Sequence, residues 1–210
     1  MPLKKPVKEQ AYQAGEGERR RLKRDLDGLM VQLFSPLPSE RRWAARDIAG
    51  FPEASEALIQ ALKREPDISV REVIVSSLLQ IGDGIAIEGL LQLLKSDDAH
   101  LRNASIEALK QVSDKLEPHI EDLLSQEDPD IRIFAVNIME AFESPRIAKL
   151  VARILEEDED VNVCSAALNL AAQLGEPSLT GSIMRAKERF PEEPYVGFAA
   201  AVALERINVR

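Results

Sequence analysis

The chain has 210 residues, 45% of them hydrophobic but only 4% aromatic, a balance that suits packing of small aliphatic helices better than a β-sandwich. Its formal net charge of -9 argues against a nucleic-acid partner, because gripping a phosphate backbone requires an excess of Lys and Arg. The lone Cys164 forms no internal disulfide, the N-terminus lacks the pattern of a secretion signal, and no run nears the ~20 apolar residues of a membrane span, so a cytoplasmic protein without a membrane partner is expected.

In chain order, residues 1–16 read as a flexible arm carrying Lys4, Lys5 and Lys8, and residues 17–210 as a single domain. An opening helix is predicted from about Glu18 to Phe34. Five similar segments follow, beginning at Pro38, Asp67, Asp98, Asp128 and Asp158, with a looser sixth at Glu193. Taking one slot in each as an anchor gives Arg42, Arg71, Arg102, Arg132, Asn162 and Gly197, about thirty residues apart, the length of a two-helix hairpin with tight turns. Apolar residues recur two, three, six, seven and ten positions after the anchor, which is one face of an α-helix. The acid four residues before most anchors is suited to cap the helix N-terminus. A second amphipathic helix lies between segments, at roughly Glu53–Arg64, Gly84–Lys95, Leu116–Ser125, Pro145–Glu156 and Ser178–Phe190.

Asp67 to Gly82, Asp128 to Phe142 and Asp158 to Gly175 resemble HEAT repeats of the short bacterial kind, including those of phycobilisome lyases and related scaffold proteins. The resemblance implies an all-α, right-handed α-solenoid of about five to six HEAT-like helical hairpins, over about Ser39 to Ile207. Such repeats serve many unrelated binding tasks, so fold alone assigns no function.

With the apolar stripe facing the core, positions one, five and eight after each anchor point outward. That stripe supplies the candidate partner-binding residues Trp43, Glu72, Asn103, Glu107, Ile133 and Asn137, continuing through Val163, Leu170, Phe198 and Val202. Its C-terminal end is apolar, which marks either an interaction site or burial from both sides. Trp43 also suits covering the first repeat's end. The pairs Asp67 with Arg71, Asp98 with Arg102 and Asp128 with Arg132 read as structural caps and i,i+4 ion pairs. Asn137, Asn162 and Asn169 resemble the asparagines with which armadillo relatives grip an extended peptide's backbone, but only Asn137 falls on the outward stripe in this register. The acidic run Glu156 to Asp160 reads as a solvated turn rather than a cation site.

Chemistry-bearing residues are scarce. His100 and His119 share no face, and Cys164 falls on the small-residue side of its helix, as a buried structural thiol would. No catalytic residue, cofactor or metal ligand is expected, and monomer and homodimer both fit. The expected function is a non-catalytic scaffold or regulatory adaptor that binds a protein partner through the wall of second helices. The alternative, from the resemblance, is a phycobilin-lyase-like subunit or tetrapyrrole-protein chaperone.

Overall fold

The computed structural model describes residues 25–209 and contains twelve α-helices and no strand among them. The arm at residues 1–16 and the start of the opening helix at Glu18 lie outside the described residues. The chain divides into two compact units at the junction of Gly89 and Leu90.

In the first unit, α1 (Leu26–Gln32) packs on α2 (Pro38–Ile48), α2 on α4 (Ile68–Ile81), and α3 (Ser55–Arg64) on α4. Ala44, Ile48, Leu58, Leu62, Ile74 and Leu78 form its solvent-free core. Helix α4 starts because Asp67 accepts hydrogen bonds from the Ser69 and Val70 N–H groups. It ends where Gly82 turns left-handed at φ 58°, a conformation costly to any residue with a Cβ. Asp83 then accepts from the Ala86 N–H at 2.7 Å and the buried Ser55 hydroxyl at 2.9 Å. One carboxylate thus caps α5 (Gly84–Leu93) and ties it to the start of α3.

The second unit holds, after α5, seven further α-helices among the described residues: α6 (Ala99–Lys110), α7 (Ser113–Leu124), α8 (Pro129–Met139), α9 (Arg146–Glu157), α10 (Val161–Leu174), α11 (Thr180–Arg189) and α12 (Pro194–Val209). The even-numbered helices pack in sequence, α6 on α8, α8 on α10 and α10 on α12. Helices α7, α9 and α11 form the second layer, with α9 also packed on α11. Each hairpin buries its apolar side against the next one, the defining economy of a helical repeat.

One turn recurs at the entry to the anchor helices. The Arg132 guanidinium donates to the Gln126 carbonyl six residues back at 2.9 Å, and Arg102 makes the same bond to Ser96 at 2.6 Å. Arg71 does so to Glu65, and in the first segment it is Arg41, not Arg42, that reaches Ser35 at 2.9 Å. The first anchor therefore sits one residue earlier than the sequence reading placed it. Two of these arginines also reach forward: Arg41 clasps both Glu65 oxygens at 2.6 Å, and Arg132 clasps Asp158 at 2.7 and 3.0 Å. The capping role expected of Asp67, Asp98 and Asp128 is found. The expected i,i+4 pair of Asp128 with Arg132 is replaced by this longer reach, because the guanidinium satisfies a turn carbonyl and the next hairpin's acid together.

The fifth segment is corrected by two residues. Asp158, held by Arg132, accepts the Asp160 N–H at 3.0 Å, which leaves Asp160 to cap α10 through the Asn162 and Val163 N–H groups. The anchor slot, four residues after the cap, is then Cys164 and not Asn162. Its thiol donates to the Asp158 carbonyl at 3.2 Å, again six residues back. The missing guanidinium is supplied from the next hairpin, where Arg189 donates to the Asp158 carbonyl at 2.6 Å and to the Cys164 sulfur at 3.1 Å. Of the acidic run, Asp158 and Asp160 are held in the turn and Glu156 is bound by Ser182 at 2.6 Å and by Arg185, while Glu157 and Glu159 are exposed. The Ser182 and Arg185 contacts hold the Glu156 carboxyl below the ordinary value.

Three residues after the corrected anchors stand Ala44, Ala135, Ala167 and Ala200, but Ser105 occupies the slot in α6. Its hydroxyl is fully buried and makes no hydrogen bond. A buried polar atom without a partner costs more than the methyl that would replace it. Ser105→Ala is expected to stabilise the fold by about 1 kcal/mol in urea unfolding at unchanged m-value.

Candidate functional site

The wall of α6, α8, α10 and α12 in the second unit carries most of the candidate residues. Counting from the caps Asp98, Asp128 and Asp160, and from Glu193, whose carbonyl accepts the Gly197 N–H at 3.2 Å, aligns the four helices. The fifth residue after the cap is Asn103, Ile133, Ser165 or Phe198. The ninth is Glu107, Asn137, Asn169 or Val202, and the twelfth is Lys110, Glu140, Ala172 or Glu205.

Asn103 and Glu107 are exposed, Ile133, Asn137 and Val202 half-buried, and Phe198 is 65% exposed. Val163 and Leu170 do not belong to this surface, being 0% and 2% exposed. The two-residue shift of the cap to Asp160 turns both into the core and turns Ser165 and Asn169 outward in their place. The expected apolar stripe through α10 is therefore absent. In the first unit Glu72 is exposed, whereas Trp43, displaced by the one-residue correction of its anchor, is half-buried on the flank of α2.

A polar chain crosses the wall. Lys110 bridges Glu107 at 3.4 Å and Glu140 at 3.0 Å, and Glu140 also accepts from Gln173 at 3.5 Å. Partial burial disfavours the Lys110 charge, but the carboxylates of Glu140 and Glu107 outweigh it and raise its pKa. Asn169 and the Tyr195 hydroxyl exchange hydrogen bonds at 3.1 and 3.3 Å. Tyr195 was missed by the sequence reading because it precedes the stripe on α12, and Asn169 because the register was displaced. The Tyr195 and Phe198 rings lie 6.4 Å apart.

The last hairpin departs from the others at one position. Ile106, Val136 and Leu168, eight residues after their caps, are buried, but their counterpart Ala201 is exposed. A groove of about 490 Å³ is lined by Met184, Phe190, Pro191, Pro194, Gly197 and Leu204 together with Lys187, Glu188 and Glu193. Met184 and Tyr195 are each half exposed.

Cys164 is fully buried, and burial raises its thiol pKa against the opposing pull of Arg189. A thiol without access or thiolate character is no nucleophile. His100 is exposed at the start of α6 and His119 half-buried in α7. No helix among the described residues is long and apolar enough to cross a membrane.

A family model described as HEAT repeats matches residues 26–115. The bilin biosynthesis protein PecE of Mastigocladus laminosus is 32% identical over 151 residues, which cover 70% of this chain and 56% of that protein. PecE of Nostoc sp. (strain PCC 7120) is 37% identical over 102 residues, 47% of this chain and 40% of the relative. The chain thus spans about half the length of the curated relatives it matches. A solved complex of CpcE and CpcF of phycocyanin lyase from Nostoc sp. PCC7120 overlays at TM-score 0.38 and 16% identity, covering 100% of this chain and 99% of that one. At that TM-score the overlay assigns nothing to this chain.

These relatives overturn the expectation that the chain is no enzyme, since both are bilin biosynthesis proteins. In the folded chain Cys164 is expected to resist alkylation by iodoacetamide at pH 8 and to react stoichiometrically in denaturing urea, as read by intact mass. Rapid labelling of the native protein would contradict its burial.

Proposed function

We propose, from the premise that this chain belongs to the HEAT-repeat family, that it serves bilin chemistry as a lyase-type subunit, helping to attach or detach an open-chain tetrapyrrole on a client protein. The observation that carries the reading is the 32% identity to PecE across 70% of the chain. The chain's own chemistry narrows its part. Its one cysteine is buried, so a thioether to the chromophore would have to form on the client and not here. What remains is holding and orienting, the contribution that brings two reactants into one geometry.

The last hairpin favours this division of labour. The groove beside Met184, Phe190 and Leu204 offers apolar area of the kind that covers a planar chromophore or a partner subunit, and Lys187, Glu188 and Glu193 give it a charged rim.

Mixing the purified full chain with biliverdin, alone and together with an apo-phycobiliprotein, is expected to shift the visible absorption of the tetrapyrrole. Cys164→Ser should leave that shift unchanged. Spectra identical to free biliverdin under both conditions would exclude the reading.

A further inference from the structure

Helix α12 differs from the other wall helices along one stripe. Tyr195, Phe198, Val202, Glu205 and Val209 follow a three-four-three-four spacing, which keeps all five on one side of the helix. Tyr195, Phe198 and Val209 are 51%, 65% and 81% exposed, and Val202 is half-buried. On α6 the corresponding positions hold His100, Asn103, Glu107 and Lys110, and on α8 a lone apolar Ile133 stands between Asp130 and Asn137. On α10 they hold Asn162, Ser165, Asn169 and Ala172. Only α12 therefore carries the spacing and the apolar side chains with which one helix seats another. A groove of about 540 Å³, lined by Val202, Glu205, Arg206 and Val209, runs along the stripe.

Charge at the two ends of the stripe selects the occupant. Arg206 is exposed on the same side near the C-terminal end, and Glu192 and Glu193 are exposed in the turn that opens the helix. A stripe with a cation at one end and two carboxylates at the other is complementary to itself when run in the opposite direction. With a two-fold axis level with Ala200, an antiparallel second α12 sets Phe198 against Val202 of the other copy on both sides of the axis. Tyr195 then covers the stem of the other copy's Glu205, and Arg206 reaches the turn at its Glu192 and Glu193. The helix has 16 residues and is about 24 Å long, which keeps the buried area under the roughly 1,200 Å² of a standard interface and the dissociation constant on the order of 10 µM.

We infer that α12 is the interface of a weak homodimer, in which two copies of this chain pair through antiparallel α12 helices about a two-fold axis. The five residues of the stripe are not among those lining the groove beside Met184, so the inference does not rest on the bilin reading.

Sedimentation equilibrium of the full chain between about 1 and 300 µM is expected to show the mean mass climbing from one chain toward two. Phe198→Asp, at a position already exposed, should hold the mass at one chain across that range while leaving the circular dichroism melt unchanged. Arg206→Glu should weaken the dimer about tenfold, and adding Glu193→Lys to the same chain should restore it, because each reversed charge again meets its opposite in the second copy. Met184→Ser, in the groove of the last hairpin, should change nothing, which separates this interface from the chromophore surface proposed above. The charge variants alter exposed residues alone and give a second reading if Phe198→Asp unfolds. A mass of one chain at the highest concentration, association indifferent to a folded Phe198→Asp, or a double charge variant no tighter than Arg206→Glu would each overturn the inference.

Discussion

The turn before the anchor helices is the constraint on which the described structure depends. In α4, α6 and α8 an aspartate caps the first N–H groups of the helix, and a guanidinium four residues later folds back on the carbonyl six residues before it. The first bond fixes where the helix begins, and the second fixes the direction from which the chain enters. Where that arginine also finds a carboxylate in the following hairpin, as Arg41 finds Glu65 and Arg132 finds Asp158, one side chain joins two consecutive repeats. These pairs are largely shielded from solvent and bidentate, so they escape much of the screening that makes surface ion pairs weak. The burial of aliphatic side chains supplies the bulk of the stability, but the turn decides which side chains are buried.

The fifth segment shows what that decision controls. Two aspartates stand two residues apart, and either could cap a helix by local rules. Arg132, reaching from the preceding anchor helix, takes Asp158, and Asp160 becomes the cap. Everything downstream rotates: Val163 and Leu170 enter the core, and Asn169 joins Asn137 on the wall. The choice is made by a contact spanning 26 residues and cannot be read from the run Glu156 to Asp160 alone.

Much of the fold was nonetheless legible. The thirty-residue copy, the capping role of Asp67, Asp98 and Asp128, and the approximate helix spans follow from local chemistry that repeats. A signal against the wrong register was also present. Counting from Asn162 put Ser165 and Asn169 on the core face, whereas counting from Cys164 puts Ala166, Ala167, Leu170, Ala171 and Leu174 there, an unbroken apolar set. Function was less legible, because a helical-repeat wall without a metal, nucleophile or phosphate motif carries no spacing that names its task. Tyr195 and the groove beside Met184 become visible only when α11 and α12 are packed together.

A thermodynamic double-mutant cycle on Arg132 and Asp158 tests the controlling turn most directly, with Arg132→Gln, Asp158→Asn and the double variant unfolded in urea. The expected result is a coupling of about 1–3 kcal/mol, with the double variant less destabilised than the sum of the two single changes. Strictly additive losses would mean that Asp158 is an independent surface carboxylate, and the register of α10 would then need another cause.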